Sequence, residues 1–112
     1  WKFLQGRKTD FYDVYGDGVI KIIFTPGHTP GHQSVMVKLP KTGHMLFTGD
    51  ACYTGDHWCD KCLPGLVSSS SDAAASVKKL RRIAKEHDAK VVWGHDPVSW
   101  LDWKKAPMFY YD

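Results

Sequence analysis

Hydrophobic and polar positions follow two different periods along the chain, and the change from one to the other marks the elements. Residues 19–24 (VIKIIF) form a short β-branched run between Gly16-Asp17-Gly18 and Pro26-Gly27, which predicts a strand. Residues 33–39 (QSVMVKL) predict a second, closed by Pro40 and a Lys41-Thr42-Gly43 turn. Residues 44–48 (HMLFT) predict a third, so 33–48 reads as a hairpin. Upstream, residues 10–15 (DFYDVY) alternate loosely after an aromatic and polar opening. Residues 49–71 show neither period and read as one long loop holding Gly55, a cysteine pair and a Pro64-Gly65 turn. From 72 to 87 the spacing becomes three and four. Ala73, Val77, Leu80, Ala84 and His87, with Ile83 beside them, fall on one face of a helix. A serine of the 68–71 run serves as its N-cap, and Asp72 sits where the helix dipole favours an anion. Residues 91–93 (VVW) predict a short buried strand ending at Gly94-His95-Asp96-Pro97, and the aromatic tail beyond holds one helical turn. Strands, helix and strand without repeat or linker make an α/β piece.

Composition narrows the functional classes. The 112 residues suffice for one modest domain, and 43% hydrophobic against 24% charged is ordinary for a globular chain. No stretch approaches the ~18 apolar residues of a membrane span. The net charge of +3 is too small to argue for nucleic acid without a concentrated patch. Lys78, Lys79, Arg81, Arg82 and Lys85 lie opposite the helix's apolar face with no stacking motif beside them, and read as a solvated face. The chain opens Trp1-Lys2-Phe3 with no signal-peptide pattern. Three cysteines, Cys52, Cys59 and Cys62, are too few for a disulfide scaffold, so a reducing, cytoplasmic compartment is the default expectation.

Candidate chemistry gathers at three predicted strand ends. The tandem Thr25-Pro26-Gly27-His28-Thr29-Pro30-Gly31-His32 follows directly on a strand. Each Pro-Gly forces a tight turn and holds the next histidine rigidly. The intervening Pro30 excludes the one-face helical geometry of a His-x-x-x-His zinc site. Thr48-Gly49-Asp50 closes the third strand, and Gly94-His95-Asp96 follows the last. Thr48-Gly49-Asp50 alone reads as an ordinary turn, whereas two rigid turns aiming two imidazoles already favour a functional reading. Three strand ends, each presenting a ligand-type side chain beside a glycine, read together as a metal site of nitrogen and oxygen donors, suited to zinc or a neighbouring divalent ion.

These motifs resemble the metallo-β-lactamase superfamily, and within it the N-acyl homoserine lactonases, the quorum-quenching enzymes. The likeness extends through Gly16-Asp17-Gly18, Gln33-Ser34 and Asp50-Ala51-Cys52-Tyr53-Thr54. It implies an αββα sandwich of which residues 1–112 form the second, C-terminal αβ half. It also implies roles: His28 binds the first metal, Asp50 bridges two metals, His95 completes the second site, and Tyr53 hydrogen-bonds the lactone or its oxyanion. His32 has no ligand role in the family pattern and reads as a supporting residue. The function implied is opening of a lactone ring by a hydroxide shared between two divalent ions, zinc being the expected metal, ~3.5–4 Å apart.

The family's other metal motif, His-x-His-x-Asp-His, is absent from these residues, and none of the six histidines are spaced as His-x-His. Two donors per ion do not close a zinc site. The expectation is therefore a partial domain whose remaining donors come from a missing N-terminal half or a partner chain, inactive by itself, with apolar strand faces exposed and poor solubility alone. Within enzymes the alternatives are a glyoxalase-II-like thioesterase, another lactonase or an organophosphate hydrolase of the same fold. Outside them stand an inactive fragment that pairs with a full-length relative, and a non-catalytic zinc module of His28, His32, Cys59 and Cys62. Cys59-Asp60-Lys61-Cys62, with His57 two residues before it, otherwise reads as two loop thiols. The same loop suggests Trp58 and Leu63 as contacts for a substrate's acyl chain.

Overall fold

A computed structural model describes residues 11–62, 65–107 and 110–112. The four predicted strands are present with small shifts, as β2 (Ile20–Phe24), β3 (Gln33–Leu39), β4 (Gly43–Phe47) and β5 (Lys90–Val92), and the loosely alternating segment before them adds a two-residue strand, β1 (Tyr12–Asp13). They form one sheet in the order β1-β2-β3-β4-β5. The first four are antiparallel, and β5 joins β4 in parallel after the helical crossover. Val37 faces Met45 and Leu39 faces Gly43, so the expected hairpin turns at residues 40–42. Residues 1–10, with the start of the loosely alternating segment, and Leu63 lie outside the described residues.

The 49–71 segment is not one loop. A single 3-10 turn spans Gly49–Ala51 and a one-turn helix, α1, spans Gly55–Trp58. Four residues are too few to show a period, and α1 exists through its cap: Thr54 Oγ1 accepts the His57 N–H at 3.3 Å. The long helix α2 (Ser70–Glu86) starts two residues before the predicted point, because Ser69 is the cap and accepts from Asp72 N–H at 3.3 Å. His87 is the C-cap and not a position on the apolar face; its ring lies against Phe11 and His44. The helical turn expected in the tail is α3 (Pro97–Asp102), capped by Asp96.

The two faces of the sheet differ. On one, Ile23, Met36 and Leu46 are fully buried under Leu80, Ile83 and Ala84 of α2. Each such large side chain contributes ~1.5–3 kcal/mol by leaving water. The other carries Ile20, Ile22, Phe24, Val35, Val37, Leu39, Met45, Phe47 and Val92, an almost uninterrupted apolar set. Among the described residues no long helix covers it; the tail aromatics Trp100, Trp103 and Tyr111 line a hollow above Val37, Leu39 and Met45, and Phe47 stays 40% exposed. β5 was expected to be buried, but as an edge strand with β4 as its neighbour it is only half-buried. The basic face of α2 is partly engaged: Lys79 donates to the Phe24 carbonyl, Arg81 clamps Asp60, and Arg82 pairs with Glu86. Among the described residues no helix is long and apolar enough to cross a membrane.

Candidate active site

Two backbone ladders and a set of ties to α2 bring the strand ends together. The neck of the tandem Pro-Gly-His segment closes where Thr25 N–H donates to the His32 carbonyl at 3.0 Å, one step beyond the β2–β3 ladder. Its first turn is tied to the approach of α2: Ser68 N–H and Oγ–H donate to the Gly27 carbonyl at 2.7 and 2.8 Å, and Ser76 Oγ–H donates to the Pro26 carbonyl at 2.6 Å. The β4 and β5 ends run on together, since Gly94 N–H donates to the Cys52 carbonyl at 3.1 Å and His95 N–H to the Tyr53 carbonyl at 2.9 Å. This approach requires glycine at 94: a Cβ there would stand 2.4 Å from the Gly49 carbonyl oxygen.

His28, Asp50, Tyr53 and His95 meet at the point so formed. The Asp50 carboxylate lies between two imidazoles, with Oδ2 at 3.5 Å from His28 Nε2 and Oδ1 at 2.7 Å from His95 Nε2. His28 Nδ1 lies 2.9 Å from the Leu66 carbonyl, which can only accept, so Nδ1 carries a proton and in the neutral ring Nε2 turns its lone pair towards Asp50. The Tyr53 hydroxyl lies 3.0 Å from the same Nδ1. Its ring stands edge-on to His95 at 4.8 Å and to His28 at 6.0 Å between centroids. Burial, then the Asp50 charge, pushes the phenol above its ordinary pKa, so it keeps its proton at neutral pH. The site opens outwards: side-chain exposure rises from 24% at His28 to 39% at Asp50 and 63% at His95.

The donor set fits a cation on one side of Asp50 better than on the other. Two donors on a tetrahedral zinc ion, each at 2.0–2.2 Å, stand ~3.3 Å apart. The lone pair of His28 facing a carboxylate oxygen at 3.5 Å matches that spacing. His95 hydrogen-bonds Asp50 directly, and this contact must open to admit an ion. Among the described residues no group of three or more His, Cys, Asp or Glu could hold a metal ion unaided. The geometry is two donor pairs sharing one carboxylate.

Several residues sit elsewhere than expected. The zinc module of His28, His32, Cys59 and Cys62 is not assembled. His32 directs Nε2 at the Asp50 N–H, 3.0 Å away, and Nδ1 at Thr25, so neither nitrogen is spare; burial lowers its pKa. Cys59 and Cys62 are exposed free thiols, whereas Cys52 is buried and its thiol is pushed up to about 12. Trp58 packs inwards, against the core and 6.5 Å from Trp93. An open cavity of about 670 Å3 instead flanks His95, walled by Phe47, Val92, Trp93 and Trp100. Two residues whose supporting roles the motifs do not reveal are His57, whose Nδ1 accepts the Tyr53 N–H at 3.3 Å, and Asp96, whose Oδ2 accepts the Gly55 N–H at 3.0 Å. The one available signal was their spacing, four residues after Tyr53 and one after His95.

This fold and site place the chain in the metallo-β-lactamase superfamily, to which it belongs by the match of residues 2–95. It is 57% identical over 110 residues to the N-acyl homoserine lactonase AttM of Rhizobium radiobacter, covering 98% of this chain and 42% of that protein. To an N-acyl homoserine lactonase of Bacillus cereus it is 36% identical over 96 residues, covering 86% of this chain and 36% of the relative. Among solved structures it superposes with TM-score 0.80 and 29% identity on an N-acyl homoserine lactone hydrolase holding the product N-hexanoyl-L-homoserine at its catalytic metal centre, over 91% of this chain and 39% of that one. The dizinc quorum-quenching lactonase AidC agrees in fold, with TM-score 0.63 at 20% identity. The chain thus spans about two fifths of the length of the relatives it matches.

Proposed function

We propose that residues 1–112 supply one half of the active site of a metal-dependent hydrolase that opens N-acyl homoserine lactones. The observation that carries the reading is the Asp50 carboxylate standing between His28 and His95 with the Tyr53 hydroxyl beside it. The names and bound product of the relatives support the substrate class. Two divalent ions, zinc in this reading, would be held by His28 Nε2 with Asp50 Oδ2, and by His95 Nε2 with Asp50 Oδ1. The remaining donors come from residues beyond this segment, in the same chain or a partner. When bound, the ions supply Lewis acidity and an activated water at neutral pH.

The chain's own residues do the rest. Asp50 offers one oxygen to each side and offsets part of the local positive charge. The Leu66 carbonyl holds His28 in the tautomer that leaves Nε2 free. His28 Nδ1–H is shared with the Tyr53 oxygen, which leaves the phenolic proton for a developing lactone oxyanion. The open cavity walled by Phe47, Val92 and Trp100 offers an apolar acyl chain a surface to cover.

Turnover by the full-length protein tests the reading. Ring opening of N-hexanoyl homoserine lactone is followed by proton release, beside hydrolysis of a glutathione thioester. Faster lactone turnover that disappears in Asp50→Asn supports it. Faster thioester turnover replaces it with the thioesterase alternative, and lactone turnover unchanged in Asp50→Asn overturns the assigned site.

A further inference from the structure

We propose that His32 is a positioning residue: held as its neutral Nδ1–H tautomer by a buried hydrogen-bond chain, it anchors the Asp50 backbone N–H and so fixes where the Asp50 carboxylate stands. The inference rests on the lactonase reading only in naming the reaction it affects; the chain itself is read from geometry. His32 Nε2 lies 3.0 Å from the Asp50 N–H, an obligatory donor, so Nε2 must be bare. Its Nδ1 lies 2.8 Å from Thr25 Oγ1 and 3.2 Å from the Thr25 carbonyl, which can only accept, so Nδ1 carries the proton.

The far end of the chain selects the same tautomer. Ser34 Oγ–H donates to the Thr48 carbonyl at 2.8 Å. Its oxygen therefore accepts from the Thr25 hydroxyl, 3.0 Å away, which leaves Thr25 Oγ1 to accept from His32. Thr25, Ser34 and Thr48 are all buried, so water does not compete for these directions. An imidazolium at 32 would set an N–H against the Asp50 N–H, and the Nε2–H tautomer would do the same. The ring reaches Asp50 because residue 49 has no side chain: with φ +56°, a Cβ on Gly49 would stand 3.0 Å from His32 Nε2. The two motifs, the second Pro-Gly-His and the Thr-Gly-Asp, are thereby one device.

Two substitutions in the full-length protein separate this role from mere packing. His32→Asn keeps a donor near the Nδ1 position but loses the acceptor for Asp50. His32→Gln reaches the Nε2 position with an amide oxygen. His32→Asn is expected to lower kcat on the lactone and the affinity for cobalt(II), used alone as a probe, each by about 10–100-fold with KM little changed. His32→Gln recovers most of both losses. Wild-type kcat and cobalt affinity in His32→Asn, or equal impairment of the two variants, overturns the proposal. Should neither variant fold, ring nitrogen NMR of the wild type decides. A protonated Nδ1 and bare Nε2 at His32 support the proposal, and a protonated Nε2 overturns it. Lack of lactone turnover in the wild type alongside the expected NMR and cobalt results overturns the lactonase reading and leaves the positioning role supported.

Discussion

The two imidazoles that flank Asp50 are held to different degrees. His28 is 24% exposed, follows a turn that Ser68 and Ser76 tie down, and has its ring tautomer set by the Leu66 carbonyl. His95 is 63% exposed, and its ring's one hydrogen bond among those described goes to Asp50 itself. The backbone at 95 is well tethered, by the Tyr53 carbonyl, but the side chain is held only by Asp50 and the edge-on Tyr53 ring among the described contacts, with nothing to fix its other nitrogen. A side chain already fixed in its liganding rotamer loses little freedom when an ion arrives, whereas one still to be ordered costs about 0.5–1.5 kcal/mol. The His28 arm is therefore preformed, and the His95 arm is set by what it binds.

Removing the shared carboxylate breaks both arms together. Asp50→Asn in the full-length protein should cost several kcal/mol of transition-state stabilisation, on the order of 10³-fold in kcat/KM, and strip most of the bound metal. Elemental mass spectrometry beside turnover checks this; retention of both metal and activity would sink the central assignment. The arms themselves are compared by His28→Ala and His95→Ala. The first should weaken cobalt(II) binding more, by about fivefold beyond the second, because it removes the donor that needs no ordering. Equal losses in titrations of the two variants would mean that His95 is as preformed as His28.

A smaller loss is expected from Tyr53→Phe. The hydroxyl lies against His28 but is not needed to fix its tautomer, which the Leu66 carbonyl does. Metal affinity should stay near wild type while kcat falls about 10²-fold, the usual cost of one oxyanion donor. A matching drop in metal affinity would instead make Tyr53 a support for His28.

The same contrast separates what the sequence carried from what it could not. β2, β3 and β4 were legible because short apolar, β-branched-rich runs lie between Gly and Pro turn signals, and the Lys41-Thr42-Gly43 turn closes the hairpin. α2 was legible from Ala73, Val77, Leu80 and Ala84, which do face the core. α1 was not, since a one-turn helix held by the Thr54 hydroxyl leaves no period. Turn chemistry marked His28, Asp50 and His95, because Pro and Gly are local signals. The partners of those residues are distant in sequence: Leu66 lies 38 residues from His28, and His32 lies 18 from Asp50. Such pairings are products of the assembled sheet, and no spacing rule announces them. His57 shows the same limit, reading as a neighbour of the exposed thiols when it is buried beneath Tyr53.

His57 also gives the comparison its mildest test, through pH. It is 3% exposed, and its Nδ1 accepts the Tyr53 N–H. Burial, and then the Arg81 charge, lowers its pKa below the ordinary imidazole value of 6.5. Above that value both folded and unfolded chains carry it neutral, so the stability it permits is fully present. As pH falls below about 6.5 the unfolded chain takes up a proton first, and stability declines until the folded value is passed. His44, also lowered by burial and then by His87, adds to the same acid slope at the far end of β4. The full-length protein should therefore lose Tm between pH 7 and 5, and His57→Gln, whose amide oxygen accepts from Tyr53 without titrating, should lose less. If acid loosens the seat of Tyr53 first, kcat of the wild type will fall over this range faster than metal affinity for the His28 arm does. An identical acid slope in His57→Gln and wild type would show that the support under Tyr53 does not titrate, and that His44 or carboxylates elsewhere set the decline.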